Sequence, residues 1–98
     1  MKGILIEPGG EPVVTTLPEN LQGIETWLGG HADQKYFSRT PAILMHSAAG
    51  REPNRIWRGE VLCGTLLCYG WKNNRLVPLN KALQAELLDR LKDTEVRV

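Results

Sequence analysis

Four arginines, Arg39, Arg51, Arg55 and Arg58, crowd one stretch of this 98-residue chain, and Glu52 is the only acid between the first and the last of them. A guanidinium is a planar fork that meets a carboxylate or phosphate with two parallel hydrogen bonds and stacks on flat rings, which an ammonium group does not do. Asn54 and Trp57 are interleaved with the last three arginines and add an amide and an indole face. Arg51, Asn54, Arg55, Trp57 and Arg58 are thus the parts from which a site for an anionic, nucleotide-like small molecule is assembled. On a strand, Arg55 and Trp57 would face one way and Asn54, Ile56 and Arg58 the other. On a helical turn, Arg51, Arg55 and Arg58 would converge instead. The competing reading is a solvated loop whose arginines pair with Glu7, Glu11 or Glu60.

No other constellation carries a reaction. A nucleophile elbow, a phosphate-binding glycine loop and paired metal-ligand motifs are all absent from the sequence. Gly9-Gly10 and Gly29-Gly30 read as turns. His46 and Ser47 are neighbours in a strand-like run, so their side chains point to opposite faces and make a poor acid–base and nucleophile pair. Cys63 and Cys68 stand an odd number of residues apart inside an apolar run, which on a strand also separates them. Both are expected to pack as small hydrophobes in a reducing compartment. The expectation is a non-enzymatic protein with no cofactor and no metal.

The elements that must position these residues follow from periodicity. Lys2 to Glu7 and Val13 to Leu17 read as strands of a hairpin turned at Pro8-Gly9-Gly10. Pro18-Glu19-Asn20 opens a helix in which Leu21, Ile24, Trp27 and Leu28 form a one-sided stripe, and Gly29-Gly30 ends it. His31 to Thr40 is polar and fits no element clearly. Ala42 to His46 reads as a buried strand, and Ile56-Trp57 as a strand start or a core plug. Glu60 to Trp71 reads as a central strand or a hairpin bent at Gly64. Leu76-Val77 follows as a short strand. A second helix starts at Asn80 with Leu83, Leu87, Leu88 and Leu91 on its apolar face, and Val96 to Val98 is a tail or an edge strand. This pattern predicts an α+β fold: an antiparallel-rich sheet of four to six strands with both helices packed on one face.

Length allows one domain, residues 1–98, and a chain of this size hides about 65% of its unfolded surface without metals or disulfides. A net charge of +1 excludes a strongly basic nucleic-acid coat or an acidic mimic of DNA. No apolar run reaches the roughly 18 residues of a membrane span, and Met1-Lys2-Gly3 leads into a strand rather than a signal peptide. A cytoplasmic address is therefore expected. Three tryptophans in so short a chain suggest surface left for an interface, and a homodimer is expected from them.

The run Ile4-Leu5-Ile6-Glu7-Pro8-Gly9-Gly10-Glu11-Pro12, the helix ending Trp27-Leu28-Gly29-Gly30, Pro41-Ala42-Ile43-Leu44, the Asn54-Arg55 pair and Gly64-Thr65-Leu66-Leu67-Cys68-Tyr69-Gly70 together resemble one family. It is the domain of unknown function 3846, common in phages and mobile elements of bacteria. The likeness runs over roughly residues 3 to 70; it departs at His31-Ala32-Asp33-Gln34-Lys35, where the family continues with aromatic and aliphatic residues. The resemblance implies a phage or mobile-element setting, in which small proteins counter host defence by stoichiometric binding. Two expectations follow: sequestration of a nucleotide-like signal molecule through Arg51 to Arg58, or a protein-interaction module that inhibits or tethers a host protein by a sheet edge or the Trp27 helix face.

Overall fold

Lys2–Ile6 (β1) and Val13–Thr16 (β2) pair as an antiparallel hairpin, and Gly9 takes the left-handed φ of 73° in its turn. Leu21–Leu28 (α1) follows; its N-cap Asn20 accepts the Gly23 N–H at 2.8 Å, and Gly29 closes it at φ 76°. The chain continues through Ala32–Tyr36 (β3), Ala42–Ser47 (β4), Pro53–Trp57 (β5), Glu60–Cys63 (β6), Leu66–Lys72 (β7) and Arg75–Val77 (β8). Lys81–Leu91 (α2), capped by Asn80, and the two-residue strand Glu95–Val96 (β9) complete it. The computed structural model describes residues 1–98.

Six strands form one sheet in the order β2-β1-β7-β4-β3, with β8 alongside the second half of β7. Every pairing in it is antiparallel. A smaller sheet, β6-β5-β9, stacks on it and contains the parallel pair β5–β9. The fold is α+β with an antiparallel-rich main sheet, as the strand and helix pattern implies.

Alternation along the strands sorts the core into two layers. Ile4, Ile6, Leu44, Leu66 and Cys68 meet Leu87 and Leu91 of α2 together with Trp57, Leu62 and Val96 of the small sheet. Ile43, Met45, Leu67 and Tyr69 meet Ile24 and Leu28 of α1. The helices therefore lie on opposite faces of the main sheet, which corrects the expectation of both on one face. The physical reason is visible in β4 and β7: all six residues of β4 and the first five of β7 are buried, so both faces need a cover.

Three local expectations also change. The run Glu60 to Trp71 breaks at Gly64 (φ 79°), but β6 and β7 belong to different sheets and do not form a hairpin. The polar stretch after Gly30 contains β3, an edge strand with Asp33, Gln34 and Tyr36 exposed. In α1 only Ile24 and Leu28 are buried; at about 100° per residue, Leu21 and Trp27 fall on the two flanks of that stripe and remain 59% and 45% exposed.

Candidate functional site

The middle of the arginine segment, Asn54, Arg55 and Trp57, is built into the molecule, whereas Arg51 and Arg58 are exposed. A β-bulge between Pro53 and Arg55 breaks strand alternation, so the consecutive residues Asn54 and Arg55 are both buried, at 6% exposure each. Arg55 donates from Nε to the Leu91 carbonyl at 2.8 Å, from Nη1 to the carbonyl and Oδ1 of Asn54 at 3.0 Å, and from Nη2 to the Gly10 carbonyl at 3.1 Å. The Leu91 carbonyl is one of those left unpaired at the end of α2, where the helix dipole is negative, so a cation is well placed there. Asn54 Nδ2 donates to the carbonyls of Ile6 at 2.9 Å and Gly64 at 2.7 Å. The pair is a strut between the β1–β2 hairpin, the small sheet and α2. Its hydrogen bonds to protein acceptors leave Arg55 no free fork for a ligand.

Trp57 is also internal, 5% exposed and edge-on to Phe37 with ring centroids 5.0 Å apart. Arg58 sits in the β5–β6 turn at φ 47° and bonds Ser38 Oγ at 2.7 Å. Arg51 lies exposed at the opposite end of β5, a strand whose five residues span about 17 Å. A cleft of about 420 Å³ beside the strut is walled by Gly9, Asn54, Arg55, Ile56 and Thr94, without Arg51, Trp57 or Arg58. Of the five residues singled out in the sequence, the fold brings Asn54 and Arg55 together and separates the others. Of the two geometries open in the sequence the strand is the one that forms, and its alternation fails for Asn54, at the bulge.

His46 and Ser47 are on opposite faces of β4, as adjacent strand residues must be. Ser47 Oγ accepts the Ala49 N–H at 3.1 Å, while His46 is buried and its Nε2 has no hydrogen-bond partner. Burial holds the imidazole below its ordinary pKa of 6.5, with the Lys35 cation acting in the same direction and Asp33 and Glu60 opposing. Lys35 Nζ is 2.9 Å from Glu60 Oε1 and holds that carboxyl below its usual range. No three His, Cys, Asp or Glu side chains gather closely enough to hold a metal ion.

A different recess has an open wall. Between the end of β2 and the flank of α1 lies a cleft of about 570 Å³ lined by Thr16, Leu17, Pro18, Gly23, Thr26 and Trp27, among others. Local geometry makes it. Tyr69, at the centre of the sheet, donates its hydroxyl to the Pro18 carbonyl at 2.6 Å and so fixes the chain entering α1; burial raises its pKa. Gly23 lets the helix approach closely, because a Cβ there would lie 2.9 Å from Pro18 Cβ. Trp27 forms one wall, and β2 is the terminal strand of the sheet, with nothing paired beyond it.

Acidic side chains outnumber basic ones in the sequence around this recess. From Gly3 to Gln34 the sequence contains Glu7, Glu11, Glu19, Glu25 and Asp33 but no lysine or arginine. Glu25 is turned toward β3, accepting the Ala32 N–H at 3.0 Å and lying 3.2 Å from His31 Nδ1. Glu11 and Glu19 stand just outside the two ends of β2; Glu19 is 3.4 Å from the Met1 ammonium, and Glu11 has no cationic partner. This acidic run was the sequence signal for the recess, easily lost in a whole-chain charge near zero.

A family model described as a domain of unknown function (DUF3846) matches residues 1–92. No curated protein and no solved structure matches the chain. No helix is long and apolar enough to cross a membrane.

Proposed function

This chain belongs to the family of the domain of unknown function 3846, and we propose that it is a non-enzymatic protein-interaction module whose docking surface is the recess between β2 and α1. The observation that carries this reading is the open edge of β2 beside the half-exposed Trp27. A tryptophan at the wall of a recess is the kind of anchor on which interface energy concentrates, and a free strand edge supplies unpaired backbone groups. Sequestration of a nucleotide-like anion has weaker support. Asn54 and Arg55 are committed to internal hydrogen bonds, Trp57 is in the core, and the recess itself is flanked by carboxylates that repel a phosphate. In a phage or mobile-element setting, such a module would counter host defence by occupying a host protein stoichiometrically.

The test replaces Trp27 with a photo-crosslinking amino acid in bacterial cells, with the same replacement at the exposed Arg75 as the control. A discrete adduct from position 27, absent at 75 and competed by excess unlabelled protein, is expected. Equal or no adducts at the two positions, together with a thermal shift by a mono-, di- or cyclic nucleotide that Arg51→Ala or Arg58→Ala removes, would return the arginine reading to the front.

A further inference from the structure

The backbone of β2 specifies what the recess receives. Met1 and Leu17 exchange both of their backbone hydrogen bonds, with Leu17 N–H donating to Met1 O at 2.8 Å and Met1 N donating to Leu17 O at 2.9 Å. In an antiparallel pair such closely bonded positions alternate with positions whose groups point away. With the register Gly3↔Thr15 and Leu5↔Val13, the groups of Val13, Thr15 and Leu17 face β1. The N–H and C=O of Val14 and Thr16 therefore point out from the sheet edge. The next positions of the same parity are Pro12 and Pro18, which have no N–H to offer. Prolines thus frame a short open ladder of two residues; a strand added there would lie about 4.8 Å beyond β2, and only at the Thr16 end would it meet the recess that Gly23, Thr26 and Trp27 line.

Resting on the docking reading above, we propose that the occupant is an extended segment of a partner protein, added to β2 as a further strand and carrying basic residues on both sides of an apolar core of about five residues. Charge complementarity selects it. Glu11 and Glu19 flank the ladder at its two ends, Glu11 without a cationic partner and Glu19 3.4 Å from the Met1 ammonium, and the nearest lysine, Lys2, lies on the parity of Ile4 and Ile6, toward the sheet face opposite α1. A nucleic acid would be repelled by the same carboxylates. A second copy of this chain fits poorly. The antiparallel register that uses both Val14 and Thr16 pairs each with the other across a two-fold at Thr15, and it sets Glu11 of one copy against Glu19 of the next, like charges face to face.

The experiment uses three synthetic, fluorescein-labelled nonapeptides with a Val-Thr-Val-Thr-Val core: one between paired lysines, one between paired glutamates, and a lysine-ended form N-methylated at alternate core residues. Anisotropy at low salt reads affinity, and backbone amide shifts of the labelled protein read location. The lysine-ended peptide should bind at least tenfold more tightly than the glutamate-ended one and should shift Val14, Thr16 and Trp27. N-methylation on the side that pairs should abolish binding, and the exposed double variant Glu11→Lys with Glu19→Lys should reverse the charge preference. Equal affinities, shifts centred elsewhere, an unreversed preference, or light scattering that shows a dimer competed by the peptide would each overturn the proposal. If no peptide binds while the position-27 crosslink persists, the extended basic segment is refuted and the docking surface stands; if the crosslink is also missing, both fall.

Discussion

Arg55→Ala separates a strut from a ligand-binding arginine. Arg55 is 6% exposed and its guanidinium makes four hydrogen bonds, to Leu91 O, Asn54 O, Asn54 Oδ1 and Gly10 O, so its removal strands acceptors in three different parts of the fold. A hydrogen bond to a charged group contributes about 1.5–3 kcal/mol, and a buried acceptor left without a partner costs about 1–3 kcal/mol. The carbonyls of Leu91 and Gly10 regain water only in part, which puts the expected loss at about 3–5 kcal/mol. A domain of this size holds about 5–15 kcal/mol in all, so the variant should be only marginally folded. At about 4–8 °C per kcal/mol, the midpoint of thermal unfolding should fall by at least about 12 °C. Arg55→Lys should restore less than half of this, because one ammonium cannot reach the end of α2, Asn54 and the hairpin turn together. Urea unfolding followed by the fluorescence of buried Trp57 measures both variants. A loss below about 1 kcal/mol for Arg55→Ala, or full stability in Arg55→Lys, would refute the strut.

Three other outcomes are expected. Gly23→Ala, which helix propensity alone would make stabilising by about 1 kcal/mol, should instead lower stability, because the new Cβ meets Pro18 Cβ at 2.9 Å; thermal unfolding gives the sign. His46 has a folded-state pKa below its unfolded 6.5, so the unfolded chain binds the extra proton and stability rises with pH. Its contribution is complete above 6.5 and is lost as pH falls through the folded-state value; His46→Leu should flatten that slope in urea titrations between about pH 7.5 and about pH 5.5. Cys68 is fully buried and its thiol is pushed up to about 12, whereas Cys63 is only half-buried, so a thiol reagent should label Cys63 in the native protein and Cys68 only on unfolding, as mass spectrometry of the labelled peptides would show.

Much of the architecture was legible without a structure because it depends on short-range chemistry. Asn20 and Asn80 cap helices through their own side chains, Gly29 takes the left-handed close, and Pro8-Gly9-Gly10 reverses the chain; each effect acts within a few residues. The continuous apolar runs of β1, β4 and β7 and the leucine face of α2 likewise name the core before any fold is known. Family membership was readable in the same motifs.

Only the tertiary structure decided what lies far apart in the chain. Which face a helix covers is set by sheet order and crossover, and nothing local in Leu21–Leu28 distinguishes one face from the other. The role of the arginines turned on a single bulge: it rotates Asn54 inward beside Arg55 and delivers both to carbonyls 36 to 48 residues away along the chain, at Leu91, Gly10 and Ile6. Residue types could propose an anion fork there, but a guanidinium binds whatever acceptors the fold places around it, and here those are the ends of the protein's own elements. The same holds for the recess at β2. Pro12, Pro18, Glu11, Glu19 and Trp27 are plain in the sequence, yet they define a surface only because β2 ends the sheet and α1 folds back over its face.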